Sequence, residues 1–246
     1  MCHKNILKLI GCCLETEIPI LVFESFVKHE TLNLGPIIDS RQEFNLELLS
    51  WKQRLNISME IAHVFAYLHL GFPRPVVYDF HCSGKILLDE HCVPKVYDFS
   101  KAKCIPERKT HIKRIGLKET IPGVARYTAP EQFIDEKCDV YGFGAFLLEL
   151  LTGRWILDLM KEYPEGSSET APKNFWYKII CVDKVLESNS ETKVWNKLIE
   201  NNCSIVEVVY PVIVGGGLSS EAQQQLIVFA DLAIKCQSVT PENRPK

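Results

Sequence analysis

The chain has 246 residues, 46% of them hydrophobic and 24% charged, which suits one globular unit able to bury a sizeable core. A formal net charge of −3 argues against nucleic acid or an anionic membrane surface as a partner of the molecule as a whole. Ten cysteines lie scattered in apolar contexts such as Ile10-Gly11-Cys12-Cys13-Leu14, so they read as reduced, mostly buried thiols and not as a disulfide framework.

No targeting segment is expected. Met1 to Lys8 is polar, and the apolar run Ile18 to Phe23 is too short for a signal-peptide core. Glu149 interrupts the best candidate for the roughly 18 apolar residues that a membrane span needs. Gly does not follow Met1, so the usual myristoylation signal is absent. A cytoplasmic protein is the expectation, with peripheral attachment at the plasma membrane through partners left open. His81-Cys82 and His91-Cys92 lack the paired short spacing of structural zinc sites, and no metal is expected there.

In chain order, the apolar runs around His3 to Gly11 and over Ile18 to Glu24 flank the polar turn Glu15-Thr16-Glu17, the pattern of a hairpin. Ser50-Trp51-Lys52-Gln53 fits a capping box. It opens a helix whose Leu55, Met59, Ala62 and Ala66, with Ile61, Phe65 and Leu68, make a broad apolar face ending before Gly71 and Pro73. His63 and His69 are expected simply to pack in this helix. The stretch Val76 to Ser100 reads VVYDFHCSGKILLDEHCVPKVYDFS. After it, Lys101 to Lys118 carries seven Lys/Arg against one Glu. Ala129-Pro130-Glu131 and Asp139-Val140-Tyr141-Gly142-Phe143-Gly144 come next, the latter opening a helix that is apolar nearly all round and closes at Gly153. Residues 162–174 form a Pro, Gly and Ser rich surface loop. Ser220-Glu221-Ala222-Gln223 fits a second capping box, with Ala222, Leu226, Phe229, Ala230 and Ala233 on one face. Gly215-Gly216-Gly217 reads as a turn before that helix, and Pro241-Glu242-Asn243-Arg244-Pro245 ends the pattern.

The Val76 to Ser100 stretch resembles the catalytic loop and metal-binding segment of eukaryotic protein kinases, H-R-D-x-K-x-x-N-I-L-L-D followed by D-F-G. Ile86-Leu87-Leu88-Asp89 match, as do Asp98 and Phe99. The A-P-E match at Ala129 to Glu131, the D-V-Y-S-F-G match at Asp139 to Gly144 and the R-P at Arg244-Pro245 follow in order. The resemblance implies an α+β protein-kinase-like fold, a mostly helical large lobe with a remnant of the small-lobe β-sheet and hinge. Residues 1–26 are then the remnant and hinge, with Phe23 at the gatekeeper, and 27–246 the large lobe, its last helix expected to be missing. It also implies a buried pair between Arg244 and Glu131. The connection from Glu131 to Asp139 is shorter than such kinases have, against the usual substrate platform. No glycine-rich loop, strand lysine or helix glutamate precedes the hairpin.

The chemistry departs from the pattern. Counting back from Ile86 without a gap puts Tyr78 at the His, Asp79 at the Arg, Phe80 at the catalytic Asp, Cys82 at the Lys and Lys85 at the metal-binding Asn. A gapped alternative keeps Asp79 as the Asp, with an insertion near Gly84. On either count Arg, Lys and Asn are lost, and Ser100 replaces the Gly of D-F-G. Kinase chemistry rests on the loop Asp taking a proton and on Asn with the D-F-G Asp holding magnesium. Removing a general base alone costs about 10²–10⁴ in rate. An ammonium roughly 4 Å from a divalent ion is repelled by up to about 8 kcal/mol at an effective dielectric near 20. Lys85 is therefore expected to pair with Asp98, and no catalytic residue, cofactor or metal is expected, with ATP and magnesium bound only weakly.

Finer features, Pro73 to Tyr78, Asp98-Phe99-Ser100, Ile105 to Lys113 and Glu136 to Tyr141, look like the ZED-related receptor-like cytoplasmic pseudokinases of plants. That resemblance implies an inactive adaptor in plant defence, with an NLR immune receptor and other receptor-like cytoplasmic kinases as protein partners. The cations Lys101, Lys103, Arg108, Lys109, Lys113, Arg114 and Lys118 are the expected surface for an acidic or phosphorylated partner. Thr110, Thr120 and Thr128 are open to modification. The alternatives are a working Ser/Thr kinase using Asp79 and Asp98, or a truncated product whose bare apolar surface has no role.

Overall fold

The computed structural model describes residues 2–25, 30–31, 49–80, 83–114, 127–153 and 219–246. At the N-terminal end β1 (Leu9–Cys13) and β2 (Ile20–Phe23) form an antiparallel ribbon in which Cys12 faces Leu21 and Cys13 faces Ile20. The polar turn between them is closed by the Thr16 hydroxyl donating to the Ile18 carbonyl at 2.6 Å. The expected hairpin is present. It is held to the rest by Ile6, buried in the main core, and by polar contacts: Asn5 is buried and donates to the Pro94 carbonyl at 2.8 Å and to Glu60 at 3.0 Å. Leu7 N–H donates to Val96 O, and Glu24, just past β2, pairs with Lys95 at 2.5 Å. That pairing, with a bond from Lys8 N–H, holds the Glu24 carboxyl below its usual range.

β3 (Glu30–Thr31) precedes α1 (Trp51–Leu70). The capping box forms as the sequence predicts, Ser50 Oγ accepting from Gln53 N–H and the Gln53 side chain accepting from Ser50 N–H. The buried face differs from the expected one. Arg54, Ile57, Ser58, Ile61, Val64, Phe65 and Leu68 turn inward, while Met59 stays exposed. The apolar count put Met59 inside because it could not see that Arg54 would be buried by its backbone partners, Leu49 O at 3.0 Å and Leu150 O at 2.6 Å.

Short strands then pair off, with β4 (Val76–Val77) and β6 (Pro94–Val96) packed on α1. β4 pairs antiparallel with β7 (Lys103–Cys104), β5 (Ile86–Leu88) with both β3 and β6, and β8 (Ile112–Lys113) with β9 (Phe133–Ile134). The class is α+β, as the sequence predicts.

α2 (Glu136–Thr152) is the pillar. Every residue from Tyr141 to Thr152 is buried, and Gly153 closes the helix at φ 65 with its N–H on Glu149 O. Here the left-handed backbone makes glycine the fitting C-terminal residue. α3 (Ser220–Cys236) packs along α2 through Leu226, Phe229, Ala230, Ala233 and Cys236. A β-carbon at Gly144 would stand 2.7 Å from Cys236 Cβ, so the two helices touch backbone to side chain. The N-cap of α3 is Ser219, one residue before the expected Ser220, its hydroxyl accepting from Ala222 N–H at 3.2 Å. One cysteine expectation is also corrected. All seven described cysteines are free thiols, as expected, but only Cys138 and Cys236 are buried, because Cys2, Cys12 and Cys104 sit on ribbon and loop surfaces. Burial pushes both buried thiols up to about 12.

Candidate functional site

The site is built where the 78–80 loop, the Ser83–Lys85 turn and the Asp98 to Lys101 turn meet above α2. A single buried carboxylate fixes the first of these. Asp139, in the first turn of α2 and fully buried, accepts from Tyr78 N–H at 2.8 Å, from Phe80 N–H at 3.2 Å and from His69 Nε2 at 2.9 Å. A buried charge needs such partners, and these three groups supply them. The expectation that His69 merely packs is thereby corrected. The signal in the sequence was an Asp opening an otherwise apolar helix, which demands a cation or donors from elsewhere.

Between the two bound amides Asp79 adopts φ 57, a left-handed conformation uncommon for a residue with a β-carbon. Its carboxylate meets Arg114 Nη1 at 3.3 Å. Phe80, 2% exposed, fills an aromatic cage of Phe65, Tyr127 and Phe146 with ring centroids 5.4 to 5.7 Å away. The loop has also sunk onto α2: a β-carbon at Gly142 would stand 2.5 Å from the Phe80 carbonyl oxygen. On the ungapped count the residue at the general-base position is thus a core hydrocarbon. On the gapped count the base would be Asp79, whose carboxylate is engaged by a guanidinium.

Tyr78, at the His of the motif, is buried with its ring against Phe99 at 5.1 Å and its hydroxyl donating to Tyr97 O at 2.6 Å. Asp98 is left-handed as well, φ 61, and caps the Phe99–Lys101 turn by accepting from Ser100 N–H. Its other oxygen is taken by the Lys85 ammonium in a direct ion pair. That hydrogen bond first, and the Ser100 hydrogen bond second, bring the Asp98 carboxyl down to about 2. The Tyr97 ring lies 5.8 Å from Lys85 Nζ and its hydroxyl donates to Gly84 O, walling the same side. Sequence reasoning missed Tyr97, although a bulky aromatic directly before Asp98 was visible.

The remaining candidates divide. Arg244 is buried and grips Glu131 with both terminal nitrogens, at 2.6 and 2.9 Å, with further bonds to the carbonyls of Ser238, Lys137 and Val239. Lys137 answers by donating to the Arg244 and Pro245 carbonyls. Burial works to raise the Glu131 carboxyl, but the Arg244 hydrogen bonds outweigh it and the net movement is downward. Glu131, Asp135 and Cys138 lie close enough together to suggest a metal, yet the guanidinium already occupies the Glu131 oxygens. Lys101, Arg108, Lys109 and Lys113 are exposed and Lys103 half-buried. Arg114 is drawn inward onto Asp79 instead of facing a partner, which corrects its place in the basic surface. Lys118, Thr120, Cys82 and the 162–174 loop lie outside the described residues.

Comparison with known proteins matches residues 1–170 to the family described as protein tyrosine and serine/threonine kinase. The chain belongs to the protein kinase family. Among its relatives, wall-associated receptor kinase 4 of Arabidopsis thaliana is 31% identical over 99% of the chain, and wall-associated receptor kinase 3 is 40% identical over 67% of it. A protein named non-functional pseudokinase ZRK15, from the same plant, is 36% identical over 82% of the chain. The chain spans 28% and 21% of the two receptor kinases and 54% of ZRK15.

In a kinase the Asp98 position holds magnesium on the phosphates of ATP, together with the residue at position 85. The residues present here do not fit that metal. A divalent ion approaching Asp98 meets an ammonium already seated on the carboxylate, and position 85 offers a positive charge where the family offers a neutral oxygen.

Proposed function

We propose that this chain is a catalytically inactive kinase-like adaptor whose work is done by its surface. The observation that carries the reading is the Lys85–Asp98 ion pair, a substitution that fills the metal's place with a cation of the chain's own. Phe80 in the core and Asp79 on Arg114 support it from the side of the base. Similarity to a relative named a non-functional pseudokinase lends further support, as do the motif likenesses to ZED-related pseudokinases.

The finer reading is an adaptor in plant immune signalling, with an NLR receptor and other receptor-like cytoplasmic kinases as partners, acting in the cytoplasm. The described part has no helix long and apolar enough to cross a membrane. Residues 1–26 act as small-lobe remnant and hinge, and 27–246 as the large lobe. The exposed cations Lys101, Arg108, Lys109 and Lys113, with Lys103 beside them, form the surface for an acidic or phosphorylated partner.

Calorimetric titration of magnesium-ATP tests the reading. Binding weaker than millimolar in the parent chain, with a measurable gain in Lys85→Asn, is the expected result. Low-micromolar binding by the parent would overturn it and favour a working Ser/Thr kinase. Capture of the NLR leucine-rich repeat region, weakened when Arg108, Lys109 and Lys113 are all changed to Glu, tests the partner.

A further inference from the structure

We propose that Asp79 and Arg114 form a charge-reversed strap that fixes the 106–114 segment to the 78–80 loop without any phosphate. The inference goes beyond the adaptor reading, since it holds whether or not the chain transfers a phosphoryl group.

Both ends of the strap are anchored by backbone. The amides on either side of Asp79 are bound by the buried Asp139. Arg114 donates its own N–H to Gln132 O at 2.8 Å, one residue beyond the β8–β9 ladder that joins Ile112 to Ile134 and Lys113 to Phe133. The guanidinium therefore lies between two fixed elements and touches a third, with Nη2 at 3.6 Å from Cys138 Sγ in the first turn of α2. The Arg114 side chain is 9% exposed and that of Asp79 22%, so water screens the pair far less than a surface bridge.

The sign of the charges is the point. Kinase activation segments are ordered when phosphorylation creates a new pair with an arginine. On the ungapped count position 79 is the arginine of the catalytic-loop motif, a residue that would draw a phosphate towards the loop and push Arg114 away. Asp79 reverses both effects. It attracts a cation that the segment carries permanently, because a guanidinium does not lose its proton in proteins. It also repels any phosphate added nearby. The segment is held in one arrangement from synthesis onward, and the exposed cations beside it are presented constitutively.

Hydrogen–deuterium exchange on the full chain tests this, reading peptides within 106–114, with peptides of α2 as the control for folding. Asp79→Arg and Arg114→Asp should each raise exchange in 106–114 by about fivefold or more, within the range by which contacting residues couple. The swapped double variant should return to within about twofold of the parent. The milder pair Asp79→Asn and Arg114→Gln gives the same reading if a reversal prevents folding. Treating the parent with a protein phosphatase should leave exchange unchanged. Additive damage in the swap, single variants that exchange like the parent, or a phosphatase-induced rise to the level of the single variants would each overturn the proposal.

Discussion

Gly142 has no side chain because the Phe80 carbonyl oxygen would lie 2.5 Å from its β-carbon and the Tyr127 carbonyl 3.2 Å away. Both neighbours are backbone and cannot swing aside, so Gly142→Ser, which installs the serine of the kinase motif, should cost about 1–3 kcal/mol of stability. A denaturant midpoint equal to that of the parent would show that the loop does not sit this close. The sequence shows the glycine in place of serine but not its cause, which is contact with Phe80, far earlier in the chain. Asp98 gives a second prediction at this scale. Its carboxyl titrates at about 2 against an ordinary 3.8, chiefly through Lys85. A carboxyl depressed in the folded state adds stability above its unfolded value and loses it as pH falls through the folded one. That contribution is therefore complete above pH 3.8 and gone below about 2. Lys85→Met should carry the titration back towards 3.8, followed by the carboxyl carbon shift in NMR; a titration that stays near 2 would assign the effect to Ser100 instead. The Lys85 pairing was legible from the residue's place in the motif, whereas the Tyr97 wall was not, since only folding brings its ring over residues 84 and 85.

Helices were the most legible elements because their signals are local. Ser50 and Gln53 marked the start of α1 and Gly153 the end of α2 by chemistry that needs no distant partner. The one-residue slip at the start of α3 has a physical reason: Ser219 and Ser220 are adjacent, and either hydroxyl can cap. The short strands β3, β4, β7, β8 and β9 were not foreseen, as two-residue ladders carry no periodicity to read. The clasp that joins the start of α2 to the turn Pro241–Asn243 belongs to this scale. Arg244→Ala would leave the half-buried Glu131 carboxylate without its guanidinium, and we expect a loss of about 3–5 kcal/mol, measured by chemical unfolding. Arg244→Lys should recover part of that loss and not all of it, since one ammonium cannot make the two parallel bonds. A parent-like unfolding midpoint for Arg244→Ala would mean that the chain end is not clasped in solution.

For the whole molecule, the order of motifs made the protein kinase family and the α+β class legible, because the pieces from Asp98 to Arg244 have meaning only in that order. Surface properties were harder to read. The β1–β2 ribbon exposes Leu9, Ile10, Leu14, Ile20, Leu21 and Val22, with Ile18 81% exposed. Two strands alone are marginal in water, and bare apolar patches of this kind drive association. Ile18→Lys together with Leu21→Lys should thus raise the concentration at which the chain stays monomeric, with little change in the unfolding midpoint. Light scattering that is unchanged by these substitutions would show that the ribbon is not the sticky surface. The adaptor reading turns on the Lys85 ammonium, which sits on the Asp98 carboxylate. The most direct measurement is transfer of radiolabelled γ-phosphate from magnesium-ATP to a general protein acceptor, comparing the purified chain with Asp98→Ala. Equal counts from the two, at the level of the no-enzyme control, are the predicted result. Steady transfer by the parent that Asp98→Ala abolishes would contradict the account.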